Sequence, residues 1–254
     1  MKILKTINSD IEAFNAGSSV CIGVFDGIHL GHQELIKRTI GYANENKISS
    51  VLFTFEPSPS DYFSKGKSQS RLTTLDEKYD YLRSGPIDFI YCPPFDQEME
   101  NLSPLNFINQ HLIRKLNAKH VVVGEDFHFA KDRSGSVETL MELGLEYGFT
   151  VDPVEFIRQK DKKISSTNIR QSLMDQDIQN ANQMLGRHYS VLGEVIKGNQ
   201  IGRTIGYPTA NIDINERDVL LRGVFCVKAI IEGDEGEYKG LANIGFKPTI
   251  NGTA

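Results

Sequence analysis

Between Val20 and Val154, short apolar runs alternate with longer stretches whose apolar residues recur at helical spacing. Ser19–Phe25, Val51–Phe55, Ile87–Tyr91, His120–Val123 and Phe149–Val154 read as buried strands. Gln33–Asn46, with Leu35, Ile36 and Ile40 on one face, reads as a helix, as do Leu75–Arg83, Pro104–Leu116 and Val137–Tyr147. Strands and helices in this alternation predict βαβ units, and so a parallel sheet with helices on both faces. Ligands of such sheets lie beyond the carboxyl ends of the strands.

After about Asn182 the pattern changes to glycine-punctuated, β-branched segments, namely Tyr189–Ile196, Gly206–Ile212, Gly223–Ile231 and Glu237–Ile244. This predicts a small antiparallel barrel or sandwich. A polar run, Asp175–Gln183, precedes it. The chain therefore divides into two units, 1–182 and 183–254.

Composition narrows the class. With 254 residues, 39% hydrophobic and 24% charged, the chain reads as an ordinary folded protein of two units. A net charge of −5 argues against a general nucleic-acid binder, which normally carries a basic surplus. No apolar run has the length of a signal peptide or of a membrane span. Cys21, Cys92 and Cys226 are odd in number and lack metal-ligand spacing, so they read as free thiols in a cytoplasmic, reducing compartment.

The candidate chemistry concentrates in Gly23-Val24-Phe25-Asp26-Gly27-Ile28-His29-Leu30-Gly31-His32. Here a strand runs through a tight Asp-Gly turn into a helix, with two histidines three apart on its first turn. A helix start offers unpaired N–H groups and the positive end of its dipole, and imidazoles add hydrogen bonds to a phosphate. Gly27 and Gly31 keep side chains out of the way. Further along, Ile164-Ser165-Ser166-Thr167-Asn168-Ile169-Arg170 follows a basic stretch and opens another helix. Its hydroxyls serve either as plain caps or as phosphate ligands, with Arg170 as a charge clamp one turn on.

The first segment resembles the His-x-Gly-His signature of nucleotidyltransferases, and its longer form resembles their FAD synthetase branch. The second resembles the Ile-Ser-Ser-Thr-x-Ile-Arg motif of the same enzymes. Val121-Val122-Val123-Gly124-Glu125-Asp126-Phe127-His128-Phe129 is similar to the family element lying by the nucleotide and the flavin, with His128 for the usual arginine and Ala130 for the usual glycine. Phe53-Thr54-Phe55-Glu56-Pro57-Ser58-Pro59 is similar to another, with Ser58 for a histidine. The resemblance implies a Rossmann-like α/β nucleotidyltransferase domain with a parallel sheet. It also implies catalysis by His29, His32 and Arg170, and nucleotide binding by Gly23, Phe25, Asp26, Gly27, Gly31, Asp126, Ser165, Ser166 and Thr167. Phe55 and Phe127 are implied as flavin contacts; core packing is the other reading of Phe127 and Phe129.

In the second unit, Gly198-Asn199-Gln200-Ile201-Gly202-Arg203-Thr204-Ile205-Gly206-Tyr207-Pro208-Thr209-Ala210-Asn211 resembles the riboflavin kinase signature, and Asn243-Ile244-Gly245-Phe246-Lys247-Pro248-Thr249 a later element of that family. Gly198, Gly202 and Gly206 are thereby implied at the ATP phosphates, with Thr209 and Asn211 as Mg²⁺ ligands. In the family a further strand, carrying a glutamate base, and a closing helix follow. The sequence thus reads as a bacterial bifunctional riboflavin kinase/FMN adenylyltransferase with an incomplete, truncated small antiparallel β-barrel as its kinase half. The expected activity is transfer of AMP from ATP to FMN, with ATP, FMN and riboflavin as substrates, Mg²⁺ as cofactor, and kinase activity lost or weak. A cytidylyltransferase acting on a small phosphate ester and a non-catalytic flavin- or nucleotide-binding module are the alternatives. Neither nucleic acid nor membrane is an expected partner, and the oligomeric state is not legible.

Overall fold

The structure, a computed structural model, describes residues 1–4, 14–64, 70–159, 162–198, 206, 209–214 and 219–245. Six strands form one sheet in the order β1-β4-β3-β2-β5-β6, every neighbouring pair parallel. They are β1 (Lys2–Leu4), β2 (Ser18–Ile22), β3 (Ser49–Phe53), β4 (Phe89–Tyr91), β5 (Ala118–Gly124) and β6 (Thr150–Val154). Pro153, which has no N–H to give, is tolerated in β6 because that strand is an edge.

Alternate strand residues point to opposite faces, and both faces are covered. Val20, Ile22, Val51, Phe53, Tyr91, Val121 and Val123 pack on one side, with Phe107, Ile108, Leu112 and Leu140 from the helices above them. Cys21, Leu52, Ile90 and Val122 pack on the other, with Leu35, Ile36 and Leu82. The connecting helices are α1 (Leu30–Asn46), α2 (Pro59–Phe63), α3 (Leu75–Arg83), α4 (Gln97–Glu100), α5 (Pro104–Phe107), which widens into a π-helical stretch over Ile108–Lys115, and α6 (Val137–Tyr147). Such two-sided burial is why the strands read as unbroken apolar runs.

Beyond β6, a short hairpin of β7 (Arg158–Gln159) and β8 (Lys162–Lys163) leads to α7 (Ser166–Met174) and α8 (Ile178–Leu185). Ile169, Leu173, Ala181, Met184 and Leu185 bury with Leu72, Val219 and Leu221 in a third apolar cluster. Residue 182, expected as the last of the first unit, therefore lies inside α8, whose apolar face continues to Leu185. Among the described residues the remainder forms two antiparallel ribbons, β9 (Glu194–Ile196) with β10 (Asn211–Asp213) and β11 (Gly223–Ile230) with β12 (Glu237–Ile244).

The strand order reverses direction at β2. Chain leaving β2 feeds α1 and β3 on one side, while β5 pairs on its other side. The Gly23–His32 turn therefore emerges at the carboxyl end of the central strand, at the switch point where open α/β sheets place their ligands.

Candidate active site

The turn after β2 is a strained loop held from behind. Phe25 (φ 52°) and Ile28 (φ 39°) both have left-handed backbone, beside Gly27 at φ 84°. A Cβ on Gly27 would lie 2.8 Å from Leu72, so neither its conformation nor its packing admits another residue. The carbonyls from Val24 to Ile28 all have donors. Val24 accepts from Lys78 Nζ (2.9 Å) and Thr54 Oγ1 (3.1 Å), and Phe25 from the Ile28 N–H. Asp26 accepts from Ser166 Oγ (2.7 Å), Gly27 from Arg187 (2.8 Å), and Ile28 from Gln33 (2.9 Å) and Arg187 (3.1 Å). By contrast, the N–H groups of Leu30 and Gly31, at the start of α1, take no acceptor among the described residues. A loop with its carbonyls engaged and its helix-start amides open is built for an anion.

His29 is the N-cap of α1 and His32 its third residue; helix begins after His29, so the two do not share a helical turn as expected. Their rings stack, centroids 3.6 Å apart and 15° from parallel, and Phe25 lies under His32 at 5.1 Å. The Nδ1 of His29 accepts the His32 N–H at 3.3 Å. An accepting Nδ1 carries no proton, so the neutral ring bears its proton on Nε2 and presents a donor. Burial pulls the pKa of His29 down to about 4 and holds that of His32 well below the ordinary range, where charge on His29 and on Lys78 would lower it further. Gly31 leaves room for this arrangement: a Cβ there would come 3.1 Å from the His29 ring.

His111 is likewise pulled to about 4 by burial, and His120 is lowered for the same reason, so in four of six histidines the fold disfavours the charged form. Between the ordinary value of 6.5 and about 4 the unfolded chain then binds more protons than the folded one. The melting temperature should fall steadily as pH is lowered from 7 towards 4; a midpoint constant over that range would contradict the buried, neutral assignment.

Asp26 and Arg170 are placed differently from expectation. Asp26 is buried and accepts from the N–H groups of Leu72 and Thr73 (both 2.9 Å), while Arg170 donates to it at 2.5 Å and to the Ser70 carbonyl at 2.9 Å. Only 8% of the Asp26 side chain and 19% of the Arg170 side chain are exposed. The carboxylate therefore ties the loop to residues 70–73 and α7, and the guanidinium expected to clamp phosphate is engaged by it. Ser165 caps α7 by accepting from the Asn168 N–H, Ser166 binds the Asp26 carbonyl, and Thr167 is exposed. Gly23 donates to the Phe53 carbonyl.

Past β5, Asp126 pairs with Lys163 at 2.9 Å, and Phe127 stacks on Phe129 with centroids 5.6 Å apart. Phe55 is buried beside Phe53 and meets Phe95 edge-on. Ser58 caps α2 in a capping box with Asp61. Ala130 stands at φ 66°, ψ −174°, a region open essentially to glycine. Ala130→Gly should therefore stabilise the protein, by about 1 kcal/mol; an unchanged or lower denaturation midpoint would contradict a strained alanine.

Lys78 and Arg187 were not singled out by motif. Lys78 had a signal, since it shares the buried face of α3 with Leu75, Tyr79 and Leu82. In the second unit, Gly198 and Asn211 face each other: a Cβ on Gly198 would lie 2.2 Å from the Asn211 amide. Gly206 has φ 82°, and Thr209 and Asn211 are exposed, while Gly202 and the 246–249 stretch lie outside the described residues. Among the described residues no three His, Cys, Asp or Glu side chains form a metal cluster, and no helix is long and apolar enough to cross a membrane.

Family comparison matches residues 11–168 to FAD synthetase and residues 185–254 to riboflavin kinase. A bifunctional riboflavin kinase/FMN adenylyltransferase of Buchnera aphidicola (subsp. Schizaphis graminum) is 41% identical over 98% of this chain and 80% of its own length. Its counterpart in Escherichia coli K12 is 34% identical over 99% of this chain and 80% of its own. A solved structure described as a macrolide-efflux protein from Streptococcus pneumoniae superposes with a TM-score of 0.79 at 29% identity, covering 98% of this chain and 80% of that one. The kinase match reaches the last residue, and the expected truncation of that unit, with its loss of activity, finds no support in these likenesses. The chain belongs to the bifunctional riboflavin kinase/FMN adenylyltransferase family.

Proposed function

We propose that the His29–His32 loop carries adenylyl transfer from ATP to FMN. The observation that carries this reading is the anion cradle itself: open N–H groups at the start of α1 beside two neutral imidazoles, one with its proton held on Nε2. In the reaction an FMN phosphate oxygen forms a bond to the α-phosphorus of ATP, the bond from that phosphorus to the bridging oxygen breaks, and pyrophosphate leaves with the electron pair. No covalent enzyme intermediate is needed, so positioning and charge stabilisation supply the catalysis. His29 and His32 donate to phosphate oxygens as negative charge develops.

Asp26 and Arg170 shape the loop, and we assign Arg170 to phosphate contact only to the extent that it is shared with Asp26. Phe55 and Phe127 belong to the aromatic cluster at the strand ends and are proposed to border the flavin ring. Mg²⁺ fits as an ion carried in by the triphosphate, which needs few protein ligands; it would neutralise phosphate charge. In the second unit, proposed to begin after α8, the exposed oxygens of Thr209 and Asn211 would hold it. A cytoplasmic location is proposed from the free thiols of Cys21 and Cys226.

Chromatography of flavins after incubation with Mg²⁺ and ATP tests the reading. FAD from FMN is expected. No FAD, or transfer from CTP to a small phosphate ester, would overturn it; flavin binding without product would favour a non-catalytic module.

A further inference from the structure

One side chain that no motif contains reaches the back of the signature loop. Arg187 follows Gly186, the left-handed residue (φ 69°) that ends α8. Its guanidinium donates to the Gly27 carbonyl at 2.8 Å, to the Ile28 carbonyl at 3.1 Å and to the Leu185 carbonyl at 3.4 Å, and it lies over the Tyr81 ring at 4.3 Å. Gln33, in the first turns of α1, joins the same two strands of the contact by donating to the Ile28 carbonyl (2.9 Å) and the Leu185 carbonyl (2.8 Å). The turn is pressed close, since a Cβ on Gly186 would lie 2.6 Å from Leu30.

Gly27 and Ile28 are the residues immediately before His29. Ile28 is β-branched, fully buried and left-handed at φ 39°, a conformation that costs about 1–2 kcal/mol and persists only when its surroundings enforce it. A guanidinium is suited to the task because its planar fork grips two carbonyls at once and stacks on an aromatic face. If those carbonyls were released, they could turn towards the phosphate side, where negative oxygen opposes the substrate.

We propose that Arg187 is a positioning residue for adenylyl transfer: it holds the Gly27 and Ile28 carbonyls away from the phosphates, and through them the seat of the His29 ring. This rests on the adenylyltransferase reading of the loop. Arg187 touches no substrate and acts only through main chain.

Arg187→Ala and Arg187→Lys test it. Misplacement of a reacting group on this scale lowers kcat by about tenfold to a hundredfold, so that loss is expected for Arg187→Ala, with KM for FMN within about twofold. Arg187→Lys should rescue little, because an ammonium cannot reproduce the fork, whereas added guanidinium ion at non-denaturing concentration should restore part of kcat to Arg187→Ala. Imidazole ¹⁵N spectra give a reading independent of turnover: wild type should hold His29 as its Nε2–H form, and Arg187→Ala should lose that single tautomer. Unchanged kcat and spectrum would overturn the proposal. So would full activity in Arg187→Lys, or a loss of kcat that follows the melting temperature and is not restored by guanidinium. Wild type that makes no FAD, yet shows the His29 change on Arg187→Ala, would leave the positioning role standing and remove the reaction instead.

Discussion

His32→Ala is expected to lower kcat for FAD formation by roughly 10²- to 10⁴-fold, the range for loss of a positioned donor to developing charge. The ring is half-buried, stacks on His29 at 3.6 Å and lies 5.1 Å from the Phe25 ring. Its removal deletes one donor and leaves the His29 ring without the surface that fixes its plane, so two groups are affected by one substitution. KM for FMN should change far less, since most of what is lost acts on charge that appears only in the transition state. A variant with a wild-type melting profile and wild-type turnover would show that the imidazole is merely packing.

Asp26→Asn should destabilise the protein by about 3 kcal/mol, the scale of breaking a buried ion pair from one side. For a chain of this size that is a fall of roughly 6–12 °C in melting temperature. The carboxylate takes two N–H groups and one guanidinium at once. An amide would turn its NH₂ towards one of these donors and leave the Arg170 charge uncompensated at 19% exposure. Activity should fall as well, because this residue joins Arg170, α7 and residues 70–73 to the signature loop, leaving the Gly27 N–H bond to Thr73 Oγ1 as a remaining tie. A melting temperature within 2 °C of wild type, about 1 kcal/mol or less, would contradict a structural role for Asp26.

These two residues show where the sequence was readable and where it was not. Two-sided burial leaves long apolar runs, so the central strands and the helices between them were legible, and the turn after β2 stood out as the candidate site by its residues alone. β1 was not, since three residues, Lys2–Leu4, make too short a run to separate from loop. The strand expected to run to Phe25 ends at Ile22, because the chain leaves the sheet there and turns left-handed at Phe25 on its way into α1. Arg170 was legible as a charge in the right place, but its partner lies 144 residues earlier, and nothing in local pattern discloses such a pair. Lys78 and Arg187 were missed for a related reason. Both donate to backbone carbonyls, which every residue has, so the partner leaves no trace in residue identity, although the place of Lys78 on the apolar face of α3 was readable. Ala130 shows the reverse case, a glycine-like backbone conformation retained under another side chain.

Incubation of the protein with FMN, Mg²⁺ and ATP labelled at the α-phosphorus is the most direct measurement of the chemistry assigned to the His29–His32 loop. Label should appear in FAD in equal amount to unlabelled pyrophosphate released, and should do so roughly 10²- to 10⁴-fold more slowly in His32→Ala. Label remaining in ATP, or passing to inorganic phosphate with no labelled flavin, would contradict adenylyl transfer at this site.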